Sequence, residues 1–390
     1  MKKNKKHVLI ICPFSSPNLG GVETHIDKLI RYATKKNYFV TLLTYQPLTR
    51  NVKGKKVEIH KNYEVHRVSW FGRGWFPVLE HYFPLVFFYM FPGLFFKSLI
   101  FYAKNSGNID TIHAHGLVAA LITKIITKFK KTNIVVSTHA VYRFGERALL
   151  ARLVRWVLSD FNTVLAVSEV SRKELILLGL SKKKVKVHPN WIETDLIKPL
   201  NKKSSLQALN LKPGCHVLFV GRLIDLKGVE LLLQSSKLLK EIHFHFVGNG
   251  PLESKVVLAS KQQKNVTYHG VLMQYKKKEF EKLMTLYSIA DFFVSPYLYD
   301  EGFSAALIES AAMGIPVVIP NRGSPPTFLS KDCAYFMSPK PTVDEVVKTL
   351  KNLCSTISNG KNTFSSDVCR KYAEDNFGSA NADVITNSYA

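Results

Sequence analysis

Short, continuous apolar runs alternate with amphipathic stretches along the chain, and the alternation occurs in two series. In the first half the runs fall at 7–12, 39–45, 63–68, 111–114, 133–138, 163–167 and 185–188. Helical patterns lie between most of them, near 22–36, 117–130, 146–159 and 169–178. A strand that is apolar throughout, rather than at every second position, must be covered on both faces. Such strands separated by helices predict a parallel sheet with helices on either side. The rhythm breaks at 191–215, where Pro199, a Lys-Lys-Ser-Ser run and Pro213-Gly214 predict a linker. It resumes with strands predicted at 216–221, 243–248, 266–271, 291–295, 316–320 and 334–337. Helices are predicted near 228–240, 251–263, 276–288, 303–313 and 342–357. The 390 residues therefore divide into two doubly wound α/β halves, 1–190 and 216–364, followed by helical residues 365–390.

Charge separates the halves further. The formal net charge is +25, and residues 1–190 hold 31 Lys+Arg against 10 Asp+Glu. An anionic partner is expected to meet the first half: nucleic acid, an acidic membrane surface or a phosphorylated substrate. Five widely spaced cysteines without a C-x-x-C predict neither a disulfide framework nor a zinc site, and suit a reducing compartment. The apolar run ending at Cys12 is too short for a signal-peptide core and reads as a buried strand.

Residues 70–102 contain 14 of the 45 aromatics, and Tyr82–Phe96 is uncharged. That uncharged run is shorter than the ~20 residues of a membrane span. It holds Pro84 and Pro92 and is flanked by Arg67, Arg73, Lys97 and Lys104. Aromatic, proline-interrupted and basic-flanked sequence suits a bilayer interface. A helix pair buried in the first domain is the other reading.

Three turns carry chemistry. Gly20-Gly21 opens a helix after the first strand, where backbone amides can approach an anion; simple turn geometry explains it equally well. In Gly221-Arg222…Lys227-Gly228 two cations follow a strand at its carboxyl end, the edge where open α/β sheets bind ligands. A guanidinium fork and an ammonium there can neutralise a diphosphate. In Glu301-Gly302-Phe303-Ser304…Leu307…Glu309 two carboxylates sit eight residues apart at a strand-to-helix turn, the helix starting near Phe303. Its N-terminal amides suit phosphate, and a carboxylate beside them can accept sugar hydroxyls. His113 and His115 alternate on a strand and read as strand-end polar residues rather than metal ligands.

These motifs resemble the large family 4 of retaining glycosyltransferases. The matching pieces are Gly20-Gly21, Ile112-His-Ala-His115, Ser137-Thr-His139, Val167-Ser-Glu169, Pro189-Asn190, Arg222…Lys227 and Val247-Gly-Asn-Gly-Pro251. The Glu301-x7-Glu309 run ending in Gly314-Ile-Pro-Val-Val completes them. The resemblance implies the GT-B fold: two Rossmann-like domains facing across a cleft, with a C-terminal helix crossing back to the first. It assigns the donor diphosphate to Arg222 and Lys227, the nucleotide ribose to Glu309 and hydroxyls of the transferred sugar to Glu301. Gly302, Phe303, Ser304 and Leu307 complete the donor segment. Gly20 and Gly21 would approach the phosphate from the opposite domain, and His139 would lie near the sugar. No bound cofactor or metal is implied, which agrees with the lack of a D-x-D segment. The co-substrate would be a UDP- or GDP-sugar.

Three departures stand out: Trp191 where the family often has Gly, Asn249 where Asp is common, and Arg322-Gly-Ser-Pro-Pro326 without the usual double Gly and following Glu. The expected partners are a nucleotide sugar, a lipid-linked or saccharide acceptor and an anionic membrane surface, not nucleic acid. The expected location is cytoplasmic, peripheral to the cytoplasmic membrane face. The alternatives are a basic nucleic-acid-binding α/β protein, which leaves the paired Glu idle, and a non-catalytic GT-B relative that binds or scaffolds.

Overall fold

The computed structural model describes residues 5–18, 20–48, 52–72, 75–79, 82–139, 148–188, 190–274, 276–359 and 364–389. Arg73, Pro189 and the first lysines of the basic N-terminus lie outside them. The chain separates into two compact units, residues 1–190 with 380–390, and residues 191–379.

The first unit contains β1 (His7–Ile11), α1 (Gly21–Lys35), β2 (Phe39–Tyr45), β3 (Val57–Ile59), β4 (Tyr63–Val68), α2 (Phe76–Leu79), α3 (Phe83–Asn105), β5 (Thr111–His115) and α4 (Gly116–Ile126). It continues with β6 (Asn133–Thr138), α5 (Ala148–Leu158), β7 (Thr163–Ala166), α6 (Glu169–Leu177) and β8 (Val185–Val187). The sheet order is β3-β4-β2-β1-β5-β6-β7-β8. Every pairing is parallel except that of β3 with β4. β3 was not predicted: its Val57 and Ile59 are exposed, so no apolar run marks it.

The second unit contains α7 (Lys202–Ala208), β9 (Cys215–Val220), α8 (Val229–Leu238), β10 (Ile242–Val247), α9 (Glu253–Gln262), β11 (Val266–Tyr268), α10 (Lys277–Ile289), β12 (Phe292–Val294) and α11 (Ala305–Ala312). It continues with β13 (Val317–Pro320), α12 (Pro325–Phe328), β14 (Ala334–Met337), α13 (Val343–Ser358) and α14 (Ser366–Phe377). Its sheet is wholly parallel, in the order β11-β10-β9-β12-β13-β14. Successive strand residues feed opposite cores. Val217 and Phe219 pack with Leu232 and Leu350 on one side, and Leu218 packs with Ile308 and Phe377 on the other. That two-sided burial is why most positions in these strands are apolar, with His216, His243 and His245 among the exceptions.

Four expectations change. Residues 191–215 are not a free linker: Ile192, Ile197 and Leu206 belong to the second unit's core, and Asn201 caps α7. α14 stays in the second unit; only 380–390, including α15 (Asp383–Thr386), return to the first. There Tyr32 donates to Asp383 at 2.8 Å, and Tyr389 meets His113 at 2.7 Å. Cys215 and Cys354 form a disulfide, against the expectation from their spacing; β9 and α13 carry them 5.8 Å apart at Cα despite a separation of 139 residues. Finally, Pro92 does not divide the aromatic stretch. α3 is one helix of 23 residues with Pro84 at its first turn and Pro92 inside.

The buried reading holds for one face of α3, and the opposite face is exposed. Val86, Tyr89, Met90, Leu94 and Tyr102 are buried in the unit's core. Leu85, Phe88, Phe96, Leu99 and Ile100 point outward. Helical spacing gathers those outward residues into one stripe. Pro84–Asn105 is long and apolar enough to cross a bilayer, with mean hydropathy 1.6. Its inward face, however, packs on β2, β4 and α4.

Candidate active site

In the second sheet the chain runs β9, β10, β11 in one direction and then returns to place β12 on the other side of β9. Loops leaving the carboxyl ends of β9 and β12 diverge at this reversal, and the crevice between them is where open α/β sheets take ligands. The two loops carry Arg222 and Lys227 after β9, and Glu301 after β12.

The β9 loop has little freedom. Gly221 N–H donates to Val247 C=O at 3.0 Å, and Leu223 N–H donates to Asn249 C=O at 2.7 Å. Residues 225–227 form a 3-10 turn that ends at Gly228 in the left-handed region, φ 75°. A Cβ at Gly228 would lie 2.2 Å from the Pro296 carbonyl oxygen. Only glycine satisfies both the torsion and this approach. Lys227 is thereby held beside the β12 loop while Arg222 stays exposed.

The β12 loop is fixed from below. Gly323 (φ 73°) would place a Cβ 2.7 Å from both the N and O of Glu301. Ser324 N–H donates to Glu301 C=O at 2.8 Å, and Arg322 Nε donates to Asp300 at 2.9 Å. The departure at 322–326 therefore serves as the support of Glu301. Lys227 Nζ donates to Glu301 Oε2, and the Tyr299 hydroxyl donates to the same oxygen at 2.5 Å. Lys227 also lies 5.3 Å from the centre of the Tyr299 ring. Burial, then the Glu301 charge, pushes the Tyr299 phenol far above its ordinary range, so it remains a donor.

Glu309 is reached by different partners. It is 2% exposed; Gln274 Nε2 donates to one carboxylate oxygen at 2.8 Å and the Tyr287 hydroxyl to the other at 3.2 Å. Burial and the Glu309 charge raise the Tyr287 phenol well above its usual value. The helix starts at Ala305, not near Phe303, so Phe303 and Ser304 precede it. Phe303 stacks on Phe328 at 5.1 Å, and Leu307 is buried in the core. Those two side chains shape the helix seat, and Gly302 is buried beside Glu301. Tyr299, Gln274 and Tyr287 escaped the sequence reading, which noted Arg322 only as part of a departure from the family pattern; a Tyr two residues before Glu301 was the one local signal.

In the first unit, Gly20 and Gly21 precede and open α1. Gly20 is extended (φ 167°), and a Cβ at Gly21 would meet nothing within 4 Å. Local geometry thus gives no reason for glycine at 21, which leaves room for a ligand. His139 follows β6. His115 Nδ1 and His139 Nε2 are 3.0 Å apart, with the His25 ring centre 5.3 Å from that of His139. His113, as expected, is satisfied, by Ser137 and Tyr389. Burial lowers His139 to about 4 and His188 to about 3, and drives His25, His113 and His115 well below the usual range. All five imidazoles are neutral near pH 7. Among the described residues, His25, His115 and His139 could each offer a nitrogen to one metal ion, within 4.8 Å of one another.

The two units, each a mostly parallel sheet with helices between its strands, have the GT-B fold. Residues 19–196 match the model of Glycosyltransferase Family 4, and residues 214–356 match that of Glycosyl transferases group 1. The chain belongs to glycosyltransferase family 4. It is 23% identical to a phosphatidylinositol N-acetylglucosaminyltransferase subunit of Arabidopsis thaliana, over 90% of this chain and 75% of that one. It is likewise 23% identical to the gpi3 subunit of the same transferase from Schizosaccharomyces pombe, over 93% and 77%. Among solved structures, sucrose-phosphate synthase from Thermosynechococcus elongatus superposes with a TM-score of 0.76 at 17% identity, covering 99% and 98% of the two chains. Anabaena HepE, in complex with UDP and glucose, gives 0.72 at 16%, covering 98% of each.

Proposed function

We propose that this protein is a retaining, metal-independent glycosyltransferase that moves a sugar from a UDP- or GDP-sugar to a membrane-borne acceptor. The observation that carries the reading is the pairing of Lys227 with Glu301 at the reversal of the second sheet, beside exposed Arg222. Cations there suit a diphosphate, and a carboxylate suits sugar hydroxyls. Lys227 and Arg222 would stabilise charge as the bond from the anomeric carbon to the phosphate oxygen breaks. The acceptor oxygen would bond to that carbon on the same face, its proton passing to the leaving phosphate. No separate carboxylate base is needed. Glu309, aligned by Gln274 and Tyr287, would accept from the ribose. Gly20, Gly21 and His139 would contact the donor, His139 as a neutral imidazole.

The relatives named for phosphatidylinositol support a lipid acceptor and make UDP-N-acetylglucosamine the first donor to try. The outward stripe of α3 and the basic first unit support peripheral association with an anionic membrane. The test is a panel of UDP- and GDP-sugars scored by thermal shift, followed by transfer to phosphatidylinositol vesicles. Lys227→Ala and Glu309→Ala should abolish transfer while remaining folded. Full activity of Lys227→Ala with intact donor affinity would overturn the assignment.

A further inference from the structure

The Lys227–Glu301 pair poses a problem for any diphosphate. The ammonium that should receive a phosphate already holds a carboxylate, and both side chains are largely buried, 17% and 8% exposed. Glu301 cannot simply drift away. Its backbone is seated on Gly323 and Ser324, and Tyr299 holds the same carboxylate oxygen. A diphosphate arriving alone must share Lys227 with a fixed negative charge in a poorly hydrated place, where like charges repel strongly. A diphosphate that carries a sugar differs in one respect: it brings hydroxyl groups, which can donate to Glu301 as the ammonium turns to phosphate.

We infer that Glu301 is a specificity-determining residue that occupies Lys227 in the empty site, so that the site favours the sugar-bearing nucleotide over the bare nucleoside diphosphate. This rests on the donor-site reading above and adds a consequence for turnover. Once the sugar has been transferred, Glu301 loses its hydroxyl partners and returns to Lys227, displacing the product. The carboxylate serves as a stand-in anion in the empty site and as a sugar ligand in the loaded one. Tyr299 bonds it throughout, because its phenol does not ionise. The arrangement needs a carboxylate and not merely a polar group: a neutral amide at 301 could still bond to hydroxyls but could not compete with phosphate for the ammonium.

The test compares the binding of UDP and of UDP-N-acetylglucosamine to the full-length protein and to Glu301→Gln by titration calorimetry. UDP should bind the variant about tenfold more tightly or better, the scale set by releasing a partly buried ion pair. UDP-N-acetylglucosamine should gain nothing or weaken, so the preference for the sugar nucleotide collapses. Glu301→Asn, shorter and also uncharged, carries the same expectation if the first variant fails to fold. UDP affinity that is unchanged or weaker in a folded neutral variant overturns the inference while leaving the donor site standing. If the wild-type protein binds neither these two ligands nor GDP and GDP-mannose at millimolar concentration, the donor-site reading falls and this inference falls with it.

Discussion

Replacing Phe88 and Phe96 with serine tests whether the outward stripe of α3 touches lipid. The two rings are 72% and 60% exposed and lie on the face away from the core. A phenylalanine offers roughly 200 Å² of surface. About half of it entering the interfacial region, at about 25 cal/mol per Å², gives ~2 kcal/mol or somewhat more per ring. Losing both should weaken partitioning by ~5 kcal/mol at most, and about a hundredfold if insertion is shallower. The assay is co-sedimentation with vesicles of neutral lipid alone and of neutral with anionic lipid, at low and high salt. Because neither ring contributes to the core, the thermal midpoint should stay within a degree or two; surface changes of this kind cost little stability. The wild-type protein should favour the anionic vesicles, by about 1 kcal/mol for each lysine near the surface, such as Lys97 and Lys104, and salt should erase that part. A folded double variant that sediments with anionic vesicles as strongly as wild type would refute the lipid role of α3. Equal binding of wild type to neutral and anionic vesicles at low salt would refute the electrostatic part.

Gly228→Ala should destabilise the second unit by ~2 kcal/mol or more and lower the affinity for the donor, since the new methyl meets the Pro296 carbonyl at φ 75°; denaturant unfolding and calorimetry read the two effects. Tyr287→Phe should leave Glu309 short of a partner and cost ~1–3 kcal/mol of stability, seen as a lower urea midpoint. The buried histidines of the first unit are neutral when folded, with His139 near 4 and His188 near 3. Their unfolded forms take up protons first as pH falls below about 6.5. Stability should therefore be complete above that pH. It should drop toward pH 4 by up to ~1.4 kcal/mol per unit for each histidine, as followed by thermal melts across that window. Exhaustive treatment with EDTA should leave transfer undiminished; a loss restored by zinc would instead make His25, His115 and His139 a metal site.

The two sheets were legible because their central strands, such as β1, β2, β6 and β9, are buried on both faces and so are written as largely apolar runs. β3 was invisible for the opposite reason: it is short, lies at an edge and is exposed. α3 was misread as interrupted because a proline at its first turn costs no hydrogen bond and Pro92 is tolerated inside. Spacing could not reveal the disulfide, because distance along the chain says nothing about which sheet face two cysteines share. At the site, Arg222, Lys227, Glu301 and Glu309 could be named from turn and helix patterns. Their partners could not. Arg322, Gln274 and Tyr287 act through contacts between separate loops and helices, which local sequence does not encode; Tyr299 alone lies near its partner, two residues before Glu301.

The return of residues 380–389 to the first unit sets an order of assembly. Tyr389 meets the His113 ring at 2.7 Å, and the Ser388 carbonyl accepts from Asn133 at 2.8 Å. These are partners of polar groups on the first unit's own central strands. During synthesis that unit emerges from the ribosome first, yet its sheet lacks these partners until the far end of the sequence has emerged. The second unit, whose segments are contiguous, can close before it. The half that is translated first is thus the half that finishes last, and its early form is the species most exposed to chaperones and proteases.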